Sequence, residues 1–120
     1  MKIAGLWNSH DCSFCVLDDG VPTIHAELER YTREKEPKGD SFKLFKKVYN
    51  KEDDIDYWVT CSPAESFKDG SKRCVKVSDE FNHEIYSVGH HQAHAAHAFY
   101  SSNCKEAIIM TLDAGGWDRP

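Results

Sequence analysis

The sequence predicts an α/β fold: a mixed sheet that begins as a three-stranded antiparallel meander and carries helices on its faces. Three observations predict it. Short apolar runs separated by tight turns fill the first 27 residues, one helical period follows near residues 41–50, and strand-like and helix-like runs alternate from there. With 120 residues, 40% hydrophobic and 12% aromatic, the chain has material for a single core.

Ile3-Ala4-Gly5-Leu6-Trp7 is short and apolar and runs into the polar corner Asn8-Ser9-His10-Asp11, so it reads as a strand and a turn. A second strand is expected from about Cys12 to Leu17. It ends at Asp18-Asp19-Gly20, a hairpin signal because glycine accepts positive φ without penalty. A third strand runs from Pro22 to Glu27, with Pro22 tolerable only at its start. Strands on such short connections are antiparallel neighbours. From Glu29 to Asp40 the chain is charged and turn-rich, and Pro37-Lys38-Gly39-Asp40 breaks any regular element. Ser41 reads as a helix cap, and Phe42, Leu44, Phe45, Val48 and Tyr49 recur on one face of a helix that ends near Asn50. Ile55 to Cys61, β-branched and aromatic, reads as a buried strand that completes a crossover. Residues 62–82 carry little periodicity and are assigned a short helix with loop. Glu84 to Val88 reads as a strand, His91 to Ser101 as a helix, and Glu106 to Leu112 as a buried strand entering Asp113-Ala114-Gly115-Gly116. A meander passing into alternating strand and helix is the order of ribonuclease H-like folds.

Composition narrows the partners. Against 20 Asp+Glu the 15 Lys+Arg are scattered, for a net charge of -5, so general nucleic-acid binding is not expected. Neither a membrane span of ~20 apolar residues nor the apolar stretch of a signal peptide is present, and the expected compartment is cytoplasmic. Five cysteines, irregularly spaced, do not make a disulfide framework and are read as reduced thiols. Cys12 and Cys15 form a C-x-x-C, but on a strand residues three apart point to opposite faces, which favours packing over metal or redox work.

Five of the seven histidines, His83, His90, His91, His94 and His97, fall within fifteen residues. On a helix His90, His94 and His97 share roughly a 60° sector, with Ala93, Ala96 and Tyr100 expected on an opposite, core-facing side. His90 and His94 are one turn apart, so their imidazoles can converge on one ion; a polar face meeting only water is the alternative. A third donor is best supplied by Asp113, at the end of the expected strand that follows. Gly115 and Gly116 could bring backbone amides close to a phosphate or could simply turn the chain. Asp11, in the first corner, is either a general base or a turn-capping carboxylate. The cations Arg30, Arg33, Lys35 and Lys38 form a cluster that is either solvated or able to hold an anionic donor.

In order along the chain, these segments resemble the motifs of one family, the carbamoyltransferases of the nodulation-factor and antibiotic-tailoring type. Asn8-Ser9-His10-Asp11-Cys12-Ser13 resembles the family's S-H-D opening, and Leu28 to Lys35 resembles its E-R-x-[ST]-R-x-K segment. His90-His91-Gln92-Ala93-His94-Ala95-Ala96-His97-Ala98-Phe99 resembles H-H-x-A-H-A-A-S-A-F, and Thr111 to Gly116 resembles the D-G-x-G loop. The histidine motif is the most specific, and residues 40–82 are the least matched.

The resemblance implies an actin-like ATPase (ASKHA) domain similar to that of tRNA threonylcarbamoylation, built of ribonuclease H-like halves. It implies that His90, His94 and Asp113 ligate a divalent metal, iron first with zinc or manganese as the other candidates, and that Asp11 is the base. His10, Lys35, Gly115 and Gly116 would contact substrate or phosphate. ATP and carbamoyl phosphate would be the co-substrates, giving carbamoyl-adenylate in a YrdC-like domain, and a small-molecule hydroxyl would be the acceptor. Family members are several times longer, so residues 1–120 are expected to be the N-terminal portion of the first domain. The isolated chain is then expected not to turn over and to associate with the missing domains or with a second copy. Two departures stand out: His97 replaces a small residue, and Ala114 and Trp117 alter the glycine loop. The competing expectations are a non-catalytic actin-like nucleotide-binding module and a small metal-binding protein without nucleotide.

Overall fold

Alternation along the strands decides where the core forms. In the computed structural model, which describes residues 1–61 and 77–113, β1 (Lys2–Trp7) buries Ala4 and Leu6 and β2 (Ser13–Asp18) buries Phe14 and Val16. Successive side chains of a strand face opposite ways, so these four share one face of the sheet. β3 (Val21–Glu27) adds Ala26 to it. The β2–β3 turn holds Asp19 and Gly20 at φ 46° and 80°, the paired positive values of a tight hairpin. Pro22 is the second residue of β3, and β3 is an edge strand, where a missing N–H breaks no interior ladder.

The sheet has the order β3-β2-β1-β4-β5, with β4 at Tyr57–Thr60 and β5 at Ile85–Ser87. The first three strands pair antiparallel; β1 with β4, and β4 with β5, pair parallel. The expectation of a mixed α/β sheet opening with a meander therefore holds.

The covering helix is α2 (Ser41–Val48), numbered after a single helical turn, α1 (Glu29–Thr32), in the segment read as irregular. Phe42 and Phe45 of α2 are fully buried, and Phe45 meets Phe14 edge-on at 5.3 Å and Trp58 at 5.0 Å. Phe81 closes the cluster, 5.0 Å from Phe42 and 5.3 Å from Trp58. Each such burial contributes about 1.5–3 kcal/mol, and favourable ring edges about 0.5–1.5 kcal/mol more. The cap differs from the expectation. Asp40, not Ser41, caps α2 by accepting from the Lys43 amide at 2.9 Å, while Ser41 is drawn into the interior by Asn8.

Two further expectations fail. Residues 106–112 form no strand, and Ile108 is 101% exposed, with Met110 and Leu112 also in solvent. Among the described residues, α3 (His90–Ser101) buries none of its side chains, so Ala93, Ala96 and Tyr100 make no core face. The two outcomes share a cause. A parallel strand can follow β5 only if the connecting helix packs back on the sheet. With α3 standing off the sheet, the apolar segment after it reaches no edge. Among the described residues, helical cover therefore lies on the face that α2 occupies and not on both faces, as had been expected.

No helix among the described residues is long and apolar enough to cross a membrane. Cys12, Cys15 and Cys104 are free thiols. Cys12 is buried on the core side and Cys15 lies on the opposite face, as packing residues should. Residues 62–76, with Cys74 and most of the expected short helix, lie outside the described residues, as do residues 114–120.

Candidate metal centre

β1, β4 and β5 run in the same direction, so their carboxyl ends open on one edge of the sheet. Ligand sites gather at such edges because the chain leaves the ladder there and its polar groups face a crevice. Two of the chain's chemistry-bearing segments start from it: the Asn8–Asp11 corner after β1 and the histidine helix after β5.

α3 begins after Gly89, an extended N-cap at φ -64° and ψ 148° whose carbonyl accepts from the Ala93 amide at 2.9 Å. Four alanines among its twelve residues favour helix over coil. The helical pitch then sets His94 one turn above His90, with ring centroids 4.6 Å apart and planes at 85°. Their Nε2 atoms converge to 3.1 Å. The Asp113 carboxylate closes the group, its Oδ2 lying 2.5 Å from His90 Nε2 and 3.4 Å from His94 Nε2. A carboxylate at the first turn of α3 also meets the positive end of the helix dipole. His90 is the more sheltered imidazole, with 21% of its side chain exposed against 56% for His94.

One donor atom from each of these three residues lies within 4.8 Å of the others. Ligands about 2.1 Å from one ion stand about 3.0 Å apart at a right angle and about 3.4 Å apart at the tetrahedral angle. The two separations that involve His94, 3.1 Å to His90 and 3.4 Å to Asp113, fit those values, and the His90–Asp113 contact is closer than either, an approach that an ion between them would open. Two imidazoles and a carboxylate suit zinc, iron or manganese and leave coordination positions free for an oxygen of a substrate. His97 is exposed and outside the group. His91 lies against His90, rings 5.5 Å apart and edge-on.

The other expected site residues are distributed differently. In the first corner His10 Nδ1 and Asp11 Oδ2 are 2.8 Å apart, and Asp11 has a left-handed backbone, φ 58°. Lys35 is almost fully solvated, 4.0 Å from Glu29, and Arg30 pairs with Glu27 at 3.1 Å, so two of the four basic residues neutralise local carboxylates. Gly115 and Gly116 lie outside the described residues.

Sequence reasoning overlooked Asn8 and Asp40. The Asn8 carboxamide accepts from the Ser41 amide at 2.9 Å and the Ser41 hydroxyl at 2.5 Å, and donates to the Val77 carbonyl. Asp40 accepts from the Ser78 hydroxyl at 2.6 Å in addition to capping α2. Together they tie the corner after β1 to α2 and to the segment that leads into β5. An Asn at a strand end and an Asp before a helix were the available signals, and either reads as an ordinary turn residue until its distant partner is known.

Fold and cluster together define an α/β chain with a mixed five-stranded sheet whose carboxyl edge carries a two-histidine, one-carboxylate group. No protein-family model matches the chain, and no curated protein matches it.

Proposed function

We propose that this chain is the N-terminal portion of a metal-dependent O-carbamoyltransferase that passes a carbamoyl group from carbamoyl-adenylate to the hydroxyl of a small molecule. The observation that carries the reading is the convergence of His90, His94 and Asp113, residues of two separate resembling motifs, on one point. The strand order β3-β2-β1-β4-β5, with β2 alone antiparallel to its neighbours on both sides, supports a ribonuclease H-like half of an actin-like ATPase domain.

His90, His94 and Asp113 would hold a divalent ion, iron before zinc or manganese. Bound there, such an ion would supply Lewis-acid chemistry at the phosphate of the adenylate. The chain's own residues do the rest. The corner after β1, on the same sheet edge, carries the base for the acceptor's hydroxyl proton. The aromatic core beside β1 and β4 anchors the corner after β1, while metal binding would order α3.

The test measures metal content and transfer together. The full-length protein of which this chain is the N-terminal portion is supplied with ATP, labelled carbamoyl phosphate and a panel of hydroxyl acceptors. Label should appear in an acceptor, and His94→Ala should abolish it while lowering metal content. A His94→Ala protein that keeps its full complement of metal sinks the site. A second reading, a metal-binding module without transfer chemistry, is favoured by the solvent exposure of α3. It predicts tight metal uptake, indifference to Asp11→Ala, and no labelled acceptor.

A further inference from the structure

A histidine that the metal centre leaves aside closes the other end of the sheet. His83 precedes β5, and its Nε2 lies 2.5 Å from Glu52 Oε1 in a 3-10 turn, Glu52–Asp54, between α2 and β4. The imidazole stacks on the buried Trp58 ring, centroids 5.2 Å apart and planes at 20°, and meets Phe81 edge-on at 5.4 Å. A carboxylate attracts an imidazolium more strongly than a neutral imidazole, and so does the face of an indole. With 33% of its side chain open to solvent, His83 exchanges its proton with the medium. The ring also ends a strap, residues 77–84, that is tied to the core along its length. The Val77 carbonyl accepts from the Asn8 carboxamide, the Ser78 hydroxyl donates to Asp40, Phe81 packs on Phe42 and Trp58, and His83 meets Glu52. Of these four ties the last alone includes a type of side chain whose charge changes between pH 5 and 8.

We infer that His83 is a pH-sensitive clasp: its protonated ring, paired with Glu52 and stacked on Trp58, holds the strap and β5 against the core, and loss of the proton loosens them. The sign follows from the partner. Protonated, the pair is an imidazolium and a carboxylate; neutral, the ring keeps a hydrogen bond but the attraction between charges is gone. The strap is therefore firmest on the acid side of neutrality and loosens as pH rises. The other charges around the ring are engaged elsewhere or exposed. On α2, Lys46 stands 5.8 Å from the Phe42 ring centroid, and it and Lys43 each reach Glu80 at 4.0 Å. In the turn, Asp53 is exposed and Asp54 lies 3.7 Å from the Lys2 ammonium. Before β4, the Asp56 carboxylate accepts from the Lys2 amide at 2.7 Å, and on the strap Asp79 and Glu84 are exposed. The clasp sits at the amino ends of β4 and β5, the edge opposite the metal ligands, and is independent of the transferase reading. Since β5 leads directly into α3, the clasp sets how firmly the base of the histidine helix is held.

Native-state amide exchange on the whole chain tests the clasp. The probe is the Val88 amide, which donates to the Thr60 carbonyl at 3.0 Å and so reports the contact between β4 and β5. After correction for the intrinsic exchange rate, its protection should fall about fivefold from pH 6 to pH 8, the factor of a half-exposed charge pair, while β1 and β2 change little. His83→Gln removes the titrating ring and Glu52→Gln removes its charged partner. In both, protection at pH 6 should already stand near the wild-type level at pH 8, and the fall should vanish. Glu52→Gln keeps the shape of the side chain, so the test survives a His83 variant that folds poorly. The Trp58 indole N–H resonance should titrate together with the His83 ring in the wild type and stand still in His83→Gln. Equal Val88 protection at the two pH values in the wild type overturns the clasp, as does a fall that persists in either variant. A fall shared equally by β1 and β2 is a global loss of stability and overturns it too, and so does a Trp58 resonance indifferent to pH.

Discussion

Asn8 joins the corner after β1 to two distant segments. Ser41 is fully buried, and both its amide and its hydroxyl end on the one Asn8 oxygen. Asn8→Ala would leave two buried donors unmatched, and we expect a loss of about 2–3 kcal/mol, read as a lower urea midpoint with an unchanged slope. A midpoint equal to wild type would mean that water replaces the carboxamide. Cys12 supplies a pH effect. Burial, and then the nearby Asp40 carboxylate, push its thiol up to about 11 from the ordinary 9.0. Burial raises the Cys15 thiol as well. A thiol with a raised folded-state pKa contributes fully below the unfolded value and loses that contribution as pH climbs toward the folded one. Stability should therefore fall between pH 9 and about 11, and Cys12→Ala should flatten part of the fall. Denaturant midpoints at pH 8, 9.5 and 11 check this, and an identical slope in the variant would refute it. Neither effect could be read from the letters, because each depends on a neighbour 28 or more positions away in the chain.

At the scale of elements, α2 and α3 behave oppositely. α2 is short but amphipathic, capped and anchored by two buried phenylalanines. Asp40→Ala removes its cap and the Ser78 contact together, for an expected cost of about 1–2 kcal/mol in thermal or urea unfolding. α3 has twelve residues and no buried side chain, a length at which an isolated helix is marginal in water. Metal binding across His90 and His94 should therefore order it. Zinc added to the chain should raise the helical circular-dichroism signal and the melting temperature, since a ligand that binds only the folded form stabilises it. His94→Ala should cancel both changes; a zinc response that survives in the variant would locate the metal elsewhere. The periodic spacing of Phe42, Leu44 and Phe45 made α2 legible from sequence. Histidine and alanine alone made α3 legible as a helix, but not as one that stands off the sheet. Residues 106–112 misled for a related reason: β-branched and apolar side chains favour a strand only where an edge is present to receive it.

Across the whole molecule, stability is concentrated where the sheet meets α2. Phe45→Ala, at the junction of Phe14, Phe42 and Trp58, should cost about 3–5 kcal/mol and shift every unfolding probe together. Amide exchange should be slowest in β1 and β2 and fast through α3 and residues 106–113, because local opening follows buried contact. The meander, the crossover into β4 and the candidate ligands His90 and His94 were all accessible from sequence, since each follows from a local period: two for a strand, 3.6 for a helix, one turn between imidazoles. Three-dimensional packing decided the remainder. Only the folded chain shows that Asp113, named from the sequence as the third donor, reaches the histidines without the strand expected to carry it, and only the folded chain turns Asp11 onto His10, selects Asp40 as the cap and assigns the Asn8 carboxamide to Ser41. The reason is physical: periodicity reports which face of an element is apolar, whereas the partner of a polar group is set by where distant segments arrive, and no local pattern encodes that arrival.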